Sequence, residues 1–344
     1  MRYSDVCIEA VSHFLPKKIV SSATVEGWLK PMYERLHLPE GRLELMTGIR
    51  ERRFWDKGTR PSQVAAAAGR LALAKANVAR KKIGCLIHCA VSRDFLEPAT
   101  ASVVHRLLDL PRVAMNLDIS NACLGMLTGM VMVANMIQGG QIEAGMVVTG
   151  ETAEPLLEGT VAKLLDDETL TRRTIKPQIA SLTIGSAAAA VLLTHSSISE
   201  SGHRLLGGGH SCNTACNDLC QGDSAGGGQL VMQTNSPELL ARGIDVAEDT
   251  WADTKAALGW QNDTPDAICG HQVGHAHREQ LYARLGLDHK KDFSTFEFLG
   301  NCGSASLPAT ASLAEEAGHF KPGDRVAWLG IGSGINCTMF GIEW

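Results

Sequence analysis

Residues 124–138, LGMLTGMVMVANMIQ, are the feature that most limits how this chain can fold. A helix over this stretch is apolar nearly all round, so it has no face for water and must lie inside protein. Apolar segments that read as strands flank it at 113–120 and 144–149. The same alternation recurs elsewhere. Strands are expected at 6–10, 85–91, 186–194, 266–269, 325–330 and 337–342, and helices at 62–76, 100–108, 270–285 and 304–317. Strands alternating with helices predict an α/β layered fold with buried sheets.

The chain has 344 residues, 44% hydrophobic and 20% charged, enough to bury a large core without staples. The βα order recurs in two halves, divided here as residues 1–195 and 196–344. No repeat is visible by identity. The Gly- and Cys-rich stretch 207–228 reads as a surface loop or flap. A formal net charge of -5 gives no electrostatic footprint for nucleic acid. The opening segment MRYSDVCIEAVSHFLPKKIV lacks the apolar core of a secretory signal, and no run reaches the ~18 apolar residues of a membrane span. The expectation is a cytoplasmic protein. Ten cysteines then read as free thiols, most of them small buried hydrophobes.

Six constellations carry possible chemistry. Cys123, in Asn121-Ala-Cys-Leu-Gly, follows an apolar strand and is expected to open the long apolar helix. A thiol there would feel the helix macrodipole and free N–H groups, which lower its pKa and activate it. A packed core cysteine is the alternative. His271, in Cys269-Gly-His271-Gln-Val-Gly-His275-Ala-His277, sits at a strand-to-helix corner. It could polarise a carbonyl or manage protons, against structural histidines or a metal pair with His275. Asn301, in Leu299-Gly-Asn301-Cys-Gly-Ser304, could bond its own turn or point an amide at an oxyanion.

Gly330-Ile-Gly-Ser-Gly334 between two strands predicts a tight turn whose backbone N–H groups can approach a substrate. Glu97, in Phe95-Leu-Glu97-Pro, is a possible base beside apolar residues, or a solvated loop carboxylate. His210 with Cys212, Cys216 and Cys220 hints at metal but lacks the second ligand pair of a zinc site.

The order of these motifs is more specific than any one of them. D-I-S-N-A-C-L-G, then G-H-Q-V, then G-N-C-G-S-A-S-L-P, then G-I-G-S-G resembles the ketoacyl synthase III enzymes of the thiolase superfamily. The segment Thr47-Gly-Ile-Arg-Glu-Arg-Arg53 looks like that family's T-G-I-R-x-R-R signature, so the likeness covers nearly the whole chain. It implies a five-layer αβαβα sandwich of two pseudo-duplicated halves, forming a homodimer. It also implies a Cys123–His271–Asn301 triad, with an oxyanion hole at the backbone N–H groups of Cys123 and Gly334.

The F-L-E-P segment and the Gly-Ile-Asn-Cys ending resemble the OleA-type enzymes. These condense two fatty acyl-CoA molecules head to head toward olefins or ketones. That likeness gives Glu97 the role of base, reaching into the partner subunit's site. It implies coenzyme A thioesters as substrates, no metal or other cofactor, and downstream pathway enzymes as possible partners. Met46 stands where many relatives carry a CoA-contacting Arg, so those contacts are not carried over. The alternatives are a decarboxylating synthase using malonyl-carrier protein, a catalytically silent partner subunit, and a metal-binding protein.

Overall fold

The computed structural model describes residues 1–223, 230–271 and 273–344. Thirteen strands are described. They are β1 (Val6–Phe14), β2 (Lys18–Ser21), β3 (Glu51–Phe54), β4 (Ile83–Cys89), β5 (Met115–Ile119), β6 (Ala144–Glu151), β7 (Ala187–His195), β8 (Arg204–Cys212), β9 (Cys220–Asp223), β10 (Val231–Thr234), β11 (Ala267–Gly270), β12 (Arg325–Gly332) and β13 (Asn336–Glu343). The helices are α1 (Ser22–Trp28), α2 (Lys30–Arg35), α3 (Arg42–Thr47), α4 (Pro61–Lys75), α5 (Thr100–Leu107), α6 (Gly125–Gln138), α7 (Glu154–Asp166), α8 (Ser236–Leu258), α9 (His275–Leu285), α10 (Phe296–Leu299) and α11 (Ser306–Glu316).

Nine strands run in the order β11-β12-β13-β8-β1-β7-β6-β4-β5. The order hides a division. β1 and β8 touch through one register pair, Cys7 with Arg204, whereas the pairings on either side run for eight residues. Five strands of the first half (β5-β4-β6-β7-β1) therefore form one sheet, and four of the second (β8-β13-β12-β11) form another.

Alternation along the strands separates the faces. Ile87, Val147 and Val191 of the first sheet share a core with Trp328, Phe340 and Ile342 of the second, and α6 and α11 fill the space between. The opposite face of the first sheet, with Leu86, Met146 and Leu192, packs on α4 and α5. The opposite face of the second, with Ile268, Ala327 and Met339, packs on α8 and α9. Five layers result: helices, sheet, α6 and α11, sheet, helices. Met126, Leu127, Met130, Val133 and Ile137 of α6 are all buried in the central core. Each contributes about 1.5–3 kcal/mol on leaving water.

One expectation is overturned. Residues 207–212 are not a surface loop but part of strand β8, paired along β13 and buried at Gly207–Gly209. The glycines serve close packing: a Cβ on Gly208 would lie 1.8 Å from the carbonyl oxygen of Met339. Residues 224–228 of that stretch lie outside the described residues.

Candidate active site

Cys123 stands on the corner between β5 and α6. The corner is strained, because Ala122 holds φ at +45°, a region an L-residue with a Cβ disfavours. Four contacts keep it there. The amides of Leu124 and Gly125 donate to the carbonyls of Asn121 (2.9 Å) and Ala122 (3.2 Å). Ser304 Oγ donates to the Ala122 carbonyl at 2.6 Å, and Asn336 Nδ2 to Asn121 Oδ1 at 3.2 Å. Gly332 lets β12 close on this corner, since a Cβ there would meet Leu124 and the Asn121 carbonyl at 3.1–3.2 Å.

The structure corrects the expected activation of this thiol. α6 starts at Gly125 with Leu124 as its cap, so Cys123 precedes the first turn. Burial first, and then the Glu151 carboxylate, push the Cys123 thiol up to about 12, with Cys220 adding to the effect. The helix terminus is outweighed by desolvation and a facing negative charge. Cys123 is nevertheless half-buried, whereas Cys7, Cys85, Cys89, Cys269, Cys302 and Cys337 are fully enclosed.

His271 follows β11 directly, and its amide donates to the Leu329 carbonyl of β12 at 2.8 Å. Its ring is buried, and among the described residues Nδ1 has no hydrogen-bond partner. Burial drives its pKa down to about 3, and His277 works in the same direction. The imidazole is therefore neutral at physiological pH. His275 is exposed at the start of α9, 3.8 Å from Glu279, and no group of three potential ligands is found among the described residues. Gln272 lies outside those residues.

Asn301 lies between α10 and the short turn Gly303–Ala305. Its backbone bonds both ways with the segment before β7: its N–H donates to Thr183 O (3.0 Å), and its carbonyl accepts from Gly185 N (2.9 Å). Its Oδ1 accepts from Gly303 N at 3.0 Å. The two readings of this residue thus coexist. One end of the amide closes the local turn, and Nδ2 has no partner among the described residues.

Gly334 sits at φ +82° in the turn between β12 and β13, which the Asn336–Asn121 bond ties to the nucleophile corner. No backbone carbonyl of the described residues accepts the N–H of Cys123 or of Gly334.

Glu97 is placed differently. It is exposed, on the loop joining β4 to α5. The first part of that loop is tied down: Val91 and Ser92 bond Glu151, and Asp94 accepts from Ser62 N (2.9 Å) and Oγ (2.5 Å). Phe95 lies under the Arg60 guanidinium, 4.8 Å from its ring centre. Leu96 is 92% exposed, so the tip of the loop projects from the protein. Val113 and Met115, next to or on the edge strand β5, are exposed too.

Glu151, which ends β6, was not among the residues singled out from sequence. The available signal was a carboxylate closing the otherwise apolar run AGMVVTGE. A small cleft is lined by Arg42, Met46, Lys176 and Leu182. In the Cys-rich segment, His210 Nδ1 meets Thr338 Oγ1 at 2.9 Å, and Cys220 Sγ accepts from Thr234.

Two family models match the chain: 3-oxoacyl-[acyl-carrier-protein] synthase III over residues 117–209, and the C-terminal domain of the same enzyme over residues 256–344. The acyl-CoA:acyl-CoA alkyltransferase of Shewanella oneidensis is 38% identical, with all of both chains covered. The enzyme of that name from Xanthomonas campestris is 36% identical, again over all of both chains. A β-ketoacyl-[acyl-carrier-protein] synthase III of Rhodospirillum rubrum is 27% identical, covering 95% of this chain and 96% of its own.

Solved structures of Xanthomonas campestris OleA superpose with a TM-score of 0.94 at 36% identity. One is a cysteine-to-alanine variant, covering 100% of this chain and 98% of its own. Another is a cysteine-to-serine variant with bound lauric acid and lauroyl-CoA, covering 99% of this chain and 100% of its own. By fold and by full-length identity, the chain belongs to the ketoacyl synthase III-like branch of the thiolase superfamily, among the OleA-type acyl-CoA:acyl-CoA alkyltransferases.

Proposed function

We propose that this enzyme joins two fatty acyl-CoA thioesters by a non-decarboxylative Claisen condensation, through an acyl-Cys123 intermediate. One observation carries the reading. A half-buried thiol stands before α6, a buried neutral imidazole between β11 and α9, and an amide in the turn before α11, and among the described residues the imidazole Nδ1 and the amide Nδ2 have no partner. The relatives' activity agrees with it.

In the first half-reaction, Cys123 sulfur attacks the thioester carbonyl while its proton leaves. A thiol with a raised pKa is not a standing thiolate, so attack and proton loss go together. That proton ends on the departing coenzyme A sulfur, and neutral His271 is suited to carry it. The free N–H groups of Cys123 and Gly334 hold the oxyanion, worth ~3 kcal/mol per donor.

In the second half-reaction, His271 and Asn301 Nδ2 hold the carbonyl oxygen of the second acyl-CoA. Glu97 of the partner subunit removes its α-proton. The enolate carbon attacks the acyl-Cys123 carbonyl, the new C–C bond forms, and Cys123 leaves as thiolate and takes up the proton that Glu97 removed, which restores both groups. The product is a β-ketoacyl-CoA, and hydrolysis of its thioester gives the β-keto acid. This chemistry draws on no metal or redox cofactor.

The homodimer is part of the reading. The exposed Leu96, Val113 and Met115 flank the free edge of β5, next to the loop that carries Glu97. Apolar groups beside an unpaired strand edge suit pairing with a second copy. Arg42 and Lys176 offer positive charge to coenzyme A phosphates at the cleft they line. Acyl-CoA substrates and a chain of free thiols fit a cytoplasmic location.

Product analysis with a panel of acyl-CoA lengths, with and without malonyl-carrier protein, tests the reaction. A β-keto product from acyl-CoA alone supports it. Strict dependence on malonyl-carrier protein replaces it with decarboxylative condensation.

A further inference from the structure

Glu151 is 5% exposed, and its carboxylate lies among three segments of the site. Its Oε1 accepts the N–H of Val91 at 3.0 Å and of Ser304 at 3.2 Å. Its Oε2 accepts the N–H of Ser92 at 3.1 Å and the Ser92 hydroxyl at 2.9 Å. The Ser92 hydroxyl oxygen in turn accepts the Thr152 amide at 3.0 Å. Every neighbour donates, and each carboxylate oxygen takes two bonds, so the group is filled as an acceptor. It has no lone pair to spare for a substrate proton, which separates it from a general base.

The partners are not random. Val91 and Ser92 begin the loop that carries Glu97. Ser304 follows the Asn301 turn and passes the connection on, because its hydroxyl donates to the carbonyl of strained Ala122, beside Cys123, at 2.6 Å. Gly303 closes the turn onto the carboxylate, since a Cβ there would lie 3.0 Å from Oε1.

We propose that Glu151 is a positioning residue that holds the Glu97 loop, the Asn301 turn and the Cys123 corner in one register, and so couples acylation to condensation. This rests on the roles given above to Cys123 and Glu97. Besides His271, Glu151 and Cys220 act on Cys123, and Glu151 acts on Cys302 as well. Glu151 thus sets the local charge as well as the geometry.

The test uses the full-length enzyme and long-chain acyl-CoA as probe. For Glu151→Gln, the rate of acyl-Cys123 formation changes by a smaller factor than condensation does. The ratio of condensed product to hydrolysed free acid falls at least about tenfold, as displacement of a reacting group by about 1 Å would give. In the same variant, alkylation of Cys123 by iodoacetamide moves to lower pH, a shift that loss of packing alone does not give. Glu151→Asp keeps the charge, and its alkylation profile stays in place.

Ser92→Ala removes one donor and lowers the product ratio about two- to fivefold. A parent-like product ratio in Glu151→Gln overturns the proposal. If that variant does not fold, as judged by its melting temperature, a parent-like ratio in Ser92→Ala does so instead. In Glu97→Ala, adding Glu151→Gln lowers condensation no further. If Glu97→Ala itself condenses normally, the assignment of the base fails, and the ratio in Glu151→Gln still decides the role of Glu151.

Discussion

The Cys123 corner and the Glu97 loop both cap strands of the first sheet, yet they are built in opposite ways. The corner is held from every side: a strained Ala122, the Ser304 hydroxyl, the Asn336 amide and the close approach of Gly332 fix it on a helix whose first turn is buried. The loop is held through residues 91–95, and Leu96 and Glu97 project into solvent. The difference teaches how the reaction is divided. Under the proposed reading, the groups for acylation lie on one chain, and the base for proton abstraction is an exposed carboxylate that a second copy would enclose.

Substitutions can break or sharpen that contrast. The largest effect is expected from Cys123→Ala, which abolishes the acyl adduct in intact-mass spectra and lowers condensation by about 10⁴-fold or more. An adduct that persists would sink the nucleophile assignment. Glu97→Ala leaves the adduct and stops the second step, with a loss of about 10²–10⁴-fold in condensed product. Loss of acylation in that variant would erase the division between corner and loop.

Asn301→Ala removes one donor to the enolate oxygen and costs about 10²–10³-fold in condensation, measured by single-turnover product formation. An unchanged rate would return Asn301 to a purely local turn role.

The pH dependence comes next. His88, His271 and His277 are held neutral by burial, with pKa values pushed down to about 4, 3 and 4. Unfolded, they protonate near pH 6.5. The unfolded state then binds more protons, so stability is full above that pH and is lost as pH falls toward 4. The melting temperature should drop steadily over that window, and a flat profile refutes the buried neutral state. The smallest effect is Gly332→Ala. It pushes β12 off the corner and costs about 1–3 kcal/mol in urea unfolding, with acylation reduced more than binding.

The parts that sequence made legible share a physical cause. β6, β7, β12 and α6 are apolar runs bounded by polar or glycine residues, so periodicity marks their ends to within two residues. The amphipathic α7 and α8 were passed over, although Asn235-Ser-Pro-Glu238 before α8 and Gly259 after it are recognisable end signals. β8 was misread because three glycines look like loop until β13 and Thr250 are packed against them. Glu151 was invisible because its four donors come from residues 91, 92 and 304, which no local pattern connects.

By itself, the sequence determined the layered α/β class, the central buried helix, and the order of Cys123, His271, Asn301 and Gly334, because residue type and local periodicity encode these. Only the tertiary structure decided the state of those groups. It raised the Cys123 thiol where a helix end promised to lower it, neutralised His271 and freed one end of the Asn301 amide. Burial and facing charge arise from segments distant in the chain, and they outweigh what any neighbour in sequence supplies.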